Sequence, residues 1–593
     1  MKIPKQNKIF FLLKRAFTIC KTQNFLFLRH ANTYWHAVSL FQVLFCYPFY
    51  IIYPHKLLWI MLGKKSYVLP QKRDKTRTKL GNILYKAFVG AFFGFLFWLP
   101  FWWFILASIL SPLIYGILCA IFVCFILYCC VVFISVRLID DKVLCNIPIN
   151  FNKSYFSNTI LPYFIIFAIF CMGIFSLLHN NSYFGVSLCY PLSIAIFLFI
   201  PRNYRFWFGF FVGVFGFYWM TLSFRFQDLD IMIPFAIIAV GLIYGIFFWF
   251  LCYFQNLAFR FISMLLLFVI HPLDFNWLNI AYLSAYGVFE ASLLGMLCVG
   301  LACYFIVINS ALRLLAPILL LISFDYDMQR QEPKLHAKII ETKYPQDMRW
   351  IPDNREHIIE NNLREINNAI KEGYPIVVLP ETAFPLELNL YTELYSQLLD
   401  LSHNITIVAG AIRLKNNDIT YPIKQQTQTF ILDKLSNINN TTPEESYINT
   451  PNMQLGYYNT TYIFSKGHSL IADKNVLVPF GETLPFSDLL SPIFEKFFGY
   501  TFGFNRGNGV VNFILNGFHI AIANCYEGTM DLPYKTGSKY ILMLSNNAWF
   551  SPSTQHFMQQ MIVKYYARNY QTFIYHSTNY TKKAIITPNN GKD

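Results

Sequence analysis

The chain has 593 residues, of which 55% are hydrophobic and 19% aromatic, and its formal charge is +15. That length exceeds one ordinary core, and that composition belongs to a membrane protein. The charge does not indicate nucleic acid: residues 1–324 hold 24 Lys+Arg against 7 Asp+Glu (+17), and residues 325–593 hold 23 against 25 (−2). The excess cation lies between hydrophobic runs, where cytoplasmic loops carry it, and the polar half has no basic patch interleaved with stacking aromatics.

Residues 1–35 are basic and mixed, without the small-residue cleavage site of a removable signal peptide. Residues 36–61 are apolar but interrupted by His36, Pro48, Pro54, His55 and Lys56, so this segment reads as a span or an interfacial helix. An interfacial lie is preferred, because a crossing would put the basic N-terminus outside. After the basic stretch "GKKSYVLPQKRDKTRTK", residues 84–105 and 108–136 read as two spans. Seven more follow at about 159–178, 184–200, 206–223, 231–253, 257–271, 284–304 and 305–323. Arg137, Lys142, Lys153, Arg202, Arg205, Arg260 and Arg313 fall on one side of these spans. The other side receives "RFQDLD" and "HPLDFNW". The positive-inside rule puts the start of the seven-span block in the cytoplasm and delivers residue 325 onward to the opposite face. The predicted organisation is an N-terminal extension over 1–155, a seven-span membrane domain over 156–324 and an exported domain over 325–593.

From about 330 the apolar runs shorten to strand length: "AKIIET", "PIVVLP", "ITIVAGA", "TYIFSK", "NVLVPF", "FHIAIANC" and "KYILMLS". Ile358, Ile359, Leu363, Ile366 and Ile370 mark a helix over 354–371. "NINNTTPEESYINTPNMQ" reads as a long polar loop, and no internal repeat is present. Strands interleaved with helices predict a layered α/β domain.

Three strand ends carry reactive groups. "PIVVLPETAF" ends a buried strand and presents Glu381. "ADKNVLVPFGE" has Lys474 before an expected strand and Glu482 after it. "FHIAIANCYEG" ends a strand with Cys525, followed by Tyr526 and Glu527. Of 13 cysteines, Cys525 alone lies beyond Cys303. The others suit small apolar positions in membrane helices, and the adjacent Cys129 and Cys130 show no zinc spacing. A thiol must lose its proton to attack; a nearby carboxylate can take it, and an ammonium can stabilise the thiolate and then an oxyanion. Taken singly, Glu381 also reads as a helix cap, Lys474 as a surface lysine and Cys525 as a core thiol.

These segments resemble the bacterial apolipoprotein N-acyltransferase family. "LPETAFP" is similar to the family's segment bearing the catalytic glutamate, here Glu381. "KNVLVPFGETLPF" resembles its lysine block, which makes Lys474 catalytic and Glu482 a supporting carboxylate. "CYEG" resembles its nucleophile elbow, so Cys525 is the expected nucleophile, with Tyr526 and Glu527 lining the site. "PQDMRW" with Trp350, "FNRG" with Arg506 and "SNNAWF" with Trp549 also match, and "FGFFVGVFGFYW", ending at Trp219, resembles the third span. The resemblance begins at about 159. Asn547 stands where the family usually has aspartate, and Ser551 where it often has glycine. Residues 1–150 match nothing in the family, and the final "AIITPNNGKD" is expected to leave the C-terminal sheet short of the family's last strands and last transmembrane helix.

The resemblance implies a polytopic α-helical membrane domain followed by a nitrilase-like four-layer αββα sandwich on the periplasmic face of the bacterial inner membrane. It implies a ping-pong reaction. Cys525 would take an acyl chain from a phospholipid as a thioester and pass it to the N-terminal amine of a diacylglyceryl-cysteine apolipoprotein. No metal or soluble cofactor and no nucleic acid is implied. His556 and His576 lack metal-ligand spacing. "FWFGFF" and "FNWLNIAY" suit either a lateral access path for lipid or an ordinary aromatic belt, and Asp274, Glu290 and His271 are weaker candidates for substrate contact. The alternatives are a membrane-anchored nitrilase-type amidase using the same three residues, and a non-catalytic membrane protein such as a degenerate acyltransferase.

Overall fold

The computed structural model describes residues 79–109, 184–227, 229–272, 275–307, 311–326, 331–416, 428–431, 455–479, 481–483 and 503–589. All lie in one compact unit, Asp74–Asp593. The expected apolar segment over 36–61, the span over 159–178 and most of that over 108–136 fall outside the described residues, as does Asp274.

The expected span over 84–105 is not one rod. Helices α1 (Lys79–Phe97) and α2 (Leu99–Ile109) meet at Trp98 with a bend of 56°. Pro100 has no N–H to donate back across the bend, and the Trp98 indole N–H donates to the Val212 carbonyl at 2.9 Å, holding the break against another helix. Helix α3 spans Phe184–Phe199, and α4 (Arg205–Phe217) tightens into a 3-10 stretch, Tyr218–Gln227. Helix α5 (Ile233–Leu251) packs closely on α4, because Gly209 and Gly213 admit Phe248 and Tyr244; a Cβ on Gly209 would lie 2.4 Å from the Phe248 Cβ. On the outer face of α5, Phe235, Ile238, Leu242, Ile246 and Trp249 are all exposed. That apolar stripe has no place in water, and it identifies a lipid-facing surface. Arg205–Phe226 and Asp230–Leu251, 22 residues each, are long and apolar enough to cross a membrane, and the bent pair α1–α2 passes the same test only when its two helices are taken together, as a broken span or a re-entrant loop.

Helices α6 (Leu257–Leu266), α7 (Leu293–Val307) and α8 (Ala316–Ile322) are shorter than the spans read from the sequence. The expected helix over 284–304 starts only at Leu293, after a 3-10 turn at Ile280–Ser284. The carbonyls of Ser284, Ala285, Gly287 and Phe289 all accept from the Arg568 guanidinium at 2.8–3.0 Å, which supports this non-helical stretch.

The remainder is a sandwich of two mixed sheets. The first contains β1 (Lys338–Ile339), β3 (Ile376–Val378), β4 (Phe384–Glu387), β5 (Thr406–Asn416), β7 (Leu455–Ser465) and β8 (His468–Asp473). The second contains β2 (Glu341–Thr342), β6 (Gln428–Ile431), β9 (Val511–Leu515), β10 (Phe518–Asn524), β11 (Tyr540–Asn546), β12 (Phe573–Asn579) and β13 (Ala584–Ile586). The period-2 alternation of strands decides the layers. Ile376, Val378, Val408 and Ile463 face Ile520, Ile522, Leu542 and Leu544 between the sheets. Val377, Ile407 and Phe464 point the other way, onto α9 (Pro352–Lys371) and α10 (Thr392–Leu401) through Ile366, Ala369 and Leu398. Ala521, Ala523, Ile541 and Met543 face α11 (Gln555–Tyr570) and the membrane helices in one continuous cluster. The result is the expected αββα order. The described residues of "NVLVPF", 475–479, lie in no strand; Lys474 instead follows β8. Val478 turns the chain back by accepting at its carbonyl from the N–H groups of Gly481, Glu482 and Thr483.

Candidate active site

Three loops converge where the sheets meet the membrane helices. Glu381 follows β3 in a tight turn with Thr382 at φ 53°. This turn rests against Gly410, where a Cβ would lie 2.4 Å from the Thr382 nitrogen, so no larger residue fits beneath it. Lys474 leaves β8. Cys525 opens the 3-10 turn Cys525–Thr529 after β10 at φ 48°, a left-handed conformation that a non-glycine residue holds only when its surroundings impose it.

The imposition is visible in Glu527. Its carboxylate accepts from the Asn524 N–H at 3.1 Å and from the backbone and side-chain N–H groups of Asn475, both at 2.9 Å. It thereby ties the Cys525 turn to the segment after Lys474 rather than lining an open cavity. Burial raises its pKa, and the donors from Asn475 and Asn524 oppose that shift.

The Lys474 ammonium is buried, 3.1 Å from Glu381 Oε1 and 2.9 Å from Glu482 Oε2. Burial alone would favour the neutral amine, but the two carboxylates overcome this and raise its pKa, so it is a cation. Asn459, on β7, donates to Glu381 Oε1 at 2.8 Å and to Glu482 Oε1 at 2.7 Å. The Asn546 N–H donates to Glu381 Oε2 at 2.9 Å. The Glu381 carboxylate is therefore fixed by an ammonium, an amide and a backbone N–H. Arg349 holds the main chain beneath it, donating to the carbonyls of Glu381 and Thr382.

Burial pushes the Cys525 thiol up to about 12, Glu381 and Glu482 add to this, and Lys474 pulls it down. The thiol is consequently protonated at neutral pH, and a base must act on it. Gln559, fully buried on α11, has its side-chain Nε2 3.7 Å from the Cys525 sulfur.

Tyr526 faces the membrane half. Its ring stacks on Phe275 at 5.5 Å and 5°, and its hydroxyl lies 3.3 Å from Asn276. Trp277 donates to Thr529 Oγ1 at 2.8 Å and packs on Trp219, which meets Phe550. Trp549 meets Phe226 edge-on at 5.5 Å. An aromatic floor thus joins the Cys525 turn to the helices. Trp350 and Arg506 have exposed side chains. Arg506 sits in a segment that buttresses Lys474 through the Gly507 N–H on the Lys474 carbonyl at 2.9 Å. Glu290 lines a separate cavity of about 380 Å³ with Asp325 and Arg568, and none of Glu381, Lys474 or Cys525 borders it. Among the described residues no His, Cys, Asp and Glu cluster is arranged to hold a metal.

Asn459, Asn546, Arg349 and Gln559 were not singled out from sequence. Asn459 and Gln559 are polar residues inside an otherwise buried strand and helix face, which was the available signal.

A carboxylate, an ammonium and a thiol at strand ends of an αββα sandwich, set on lipid-facing helices, define a membrane protein with a layered α/β domain that carries a buried thiol site. Residues 156–326 match the apolipoprotein N-acyltransferase integral membrane domain. The chain is 33% identical over 433 residues to the apolipoprotein N-acyltransferase of Wolinella succinogenes, covering 71% of this chain and 95% of that one. It is 35% identical over 420 residues to that of Helicobacter pylori, covering 69% and 90%. The chain belongs to the apolipoprotein N-acyltransferase family. Among solved structures it is similar to XC1258 from Xanthomonas campestris, a CN-hydrolase superfamily protein. That match has 11% identity and a TM-score of 0.29, covers 44% of this chain and 85% of that one, and is too remote to bear on the chemistry.

Proposed function

We propose that this protein moves an acyl chain from a phospholipid to the N-terminal amine of a diacylglyceryl-cysteine apolipoprotein, through a thioester on Cys525. The observation that carries the reading is the convergence of Glu381, Lys474 and Cys525 on one buried point beside the aromatic floor of the membrane helices.

Glu381 takes the Cys525 proton, and the sulfur forms a bond to the ester carbonyl carbon. Lys474 faces the developing oxyanion. On collapse the ester C–O bond breaks, and the lysophospholipid oxygen leaves with the proton from Glu381. The apolipoprotein amine then attacks the thioester and gives its proton to Glu381. The C–S bond breaks and the thiol is restored. Burial of all three groups excludes water, which would otherwise hydrolyse the thioester. A small-amide hydrolase would use the same three residues, but it would not need the aromatic floor or the lipid-facing helices.

The same reading takes 1–155 as an extension, 156–324 as the membrane domain and 325–593 as the catalytic domain on the periplasmic face of the inner membrane. Its support is the uneven Lys and Arg distribution along the chain. The test is intact mass of the detergent-purified protein after incubation with phospholipid, beside Cys525→Ala. A hydroxylamine-sensitive acyl adduct on the wild type alone is expected. An unmodified, folded wild type would refute the reading.

A further inference from the structure

Gln559 is a fully buried polar side chain on α11, on the helix face it shares with the buried Gln555, Ile562 and Val563. An apolar residue of the same size would pack there without the cost of desolvating an amide. Every polar atom of that amide is engaged. Oε1 accepts from Asn547 Nδ2 at 3.2 Å, and Asn547 Nδ2 is itself 2.9 Å from Thr581 Oγ1. Nε2 lies 3.4 Å from Ser545 Oγ and 3.7 Å from Cys525 Sγ. Ser545 Oγ is in turn 2.8 Å from His576 Nε2. One N–H is thereby anchored and the other is aimed at the sulfur.

We propose that Gln559 is a further catalytic residue, whose side-chain N–H donates to the Cys525 sulfur and favours the thiolate both as it attacks and as it leaves. The inference deepens the thioester reading above and rests on it. A donor to sulfur gains little from a neutral thiol or thioester and much from a thiolate, so its effect falls on the charged states at either end of each half-reaction. The groups facing the sulfur explain the need. Glu381 and Glu482 disfavour the thiolate, whereas Lys474 and the Asn546 backbone N–H favour it; once Glu381 has taken the proton it is neutral, and Glu482 is the carboxylate left facing the anion. The remaining nearby ionisable groups do not oppose Gln559: the Glu527 carboxylate is occupied by Asn475 and Asn524, and His576 is held neutral by burial. In the first half-reaction the thiol proton goes to Glu381 as the S–C bond forms. In the second the C–S bond breaks, and the departing thiolate regains the proton from Glu381. Gln559 exchanges no proton in either.

The test compares wild type, Gln559→Met and Gln559→Glu in detergent, using iodoacetamide as a probe of Cys525 across pH 7–10, with Cys525→Ala as background. The hydrogen-bond role predicts the order wild type, then Met, then Glu. The methionine variant would be roughly tenfold slower because the donor is lost, and glutamate slower still because it sets a carboxylate against the sulfur. A packing role predicts the reverse order for the variants, since glutamate keeps the shape of glutamine. Equal rates for wild type and Gln559→Glu would overturn the inference, as would a wild-type Cys525 that resists alkylation to pH 10. Should the methionine variant not fold, the near-isosteric glutamate variant carries the same comparison alone. Alkylation needs no phospholipid. A Cys525 that is alkylated in this order yet never acylated would therefore count against the acyl-transfer reading and leave the Gln559 donor standing.

Discussion

The Arg568 guanidinium donates to the Asp325 carboxylate at 2.6 Å, joining the last turn of α11 to the end of the membrane half. The same group donates to four carbonyls between Ser284 and Phe289. One buried side chain therefore holds four carbonyls of this non-helical stretch. We expect Arg568→Met to strand these carbonyls and the carboxylate and to cost about 3–5 kcal/mol. Arg568→Lys should recover little, because an ammonium cannot span the fork. Thermal unfolding in detergent would measure both. An unchanged melting point for Arg568→Met would remove the clamp from the account.

Glu381→Gln keeps the shape of the side chain but removes the proton acceptor. The expected loss is about 10²–10⁴-fold in formation of the Cys525 acyl adduct, with the fold preserved. Single-turnover release of lysophospholipid reads it directly. Activity within threefold of wild type would transfer the base role to another group.

Lys474→Met leaves the Glu381 and Glu482 carboxylates facing each other without their shared cation. Breaking a buried ion pair by removing one partner costs about 3–5 kcal/mol. We expect this variant to be both inactive and less stable, and the double variant Lys474→Met with Glu482→Gln to recover part of the stability. The melting points of the set decide between an electrostatic role and a packing role.

The Cys525 thiol is pushed up to about 12 by burial and by Glu381, against an ordinary value near 8.5 in the unfolded chain. A raised thiol pKa means that the native state holds a proton the unfolded state has lost. Its contribution to stability is complete below about pH 8.5 and declines as pH rises towards 12. Cys525→Ala lacks this term. The melting-point difference between wild type and Cys525→Ala should therefore shift against the wild type above about pH 8.5, and a difference independent of pH from 7 to 10 would contradict the shift.

Tyr526 tests the floor between the two halves. Its hydroxyl lies 3.3 Å from Asn276, and its ring is stacked on Phe275. Tyr526→Phe should retain most acylation. Tyr526→Ala should destabilise by about 3–5 kcal/mol, as loss of a buried aromatic does. Equal effects of the two would assign the role to the hydroxyl instead.

Much of this protein was legible in the order of its residues. Hydrophobic run length marked α4 and α5, and short continuous apolar runs bounded by polar, Gly, Pro or Asn residues marked β3, β5, β10 and β11. Glu381 and Cys525 stood out because each breaks an apolar run at its end. Such signals are local: a run of ten residues carries its own periodicity. What escaped was set by residues far apart in the chain. The break at Trp98 depends on Val212, and the unwound stretch at 284–289 depends on Arg568. Lys474 follows a strand instead of preceding one because the next residues fold back around Val478. Asn459, Arg349 and Gln559 are polar residues of ordinary type, and only the packing of β7 and α11 against the strand ends brings Asn459 to the Glu381 carboxylate and Gln559 to the Cys525 sulfur. The sequence alone determined the membrane character and the layered α/β class, since each rests on local pattern, and the resemblance of its motifs pointed to Glu381, Lys474 and Cys525 as the candidate site residues. Tertiary structure decided the charge state of Lys474 and Cys525, the groups that hold the three residues and how the sandwich is fastened to the membrane helices, because burial and hydrogen bonding between distant segments exist only once the chain has folded.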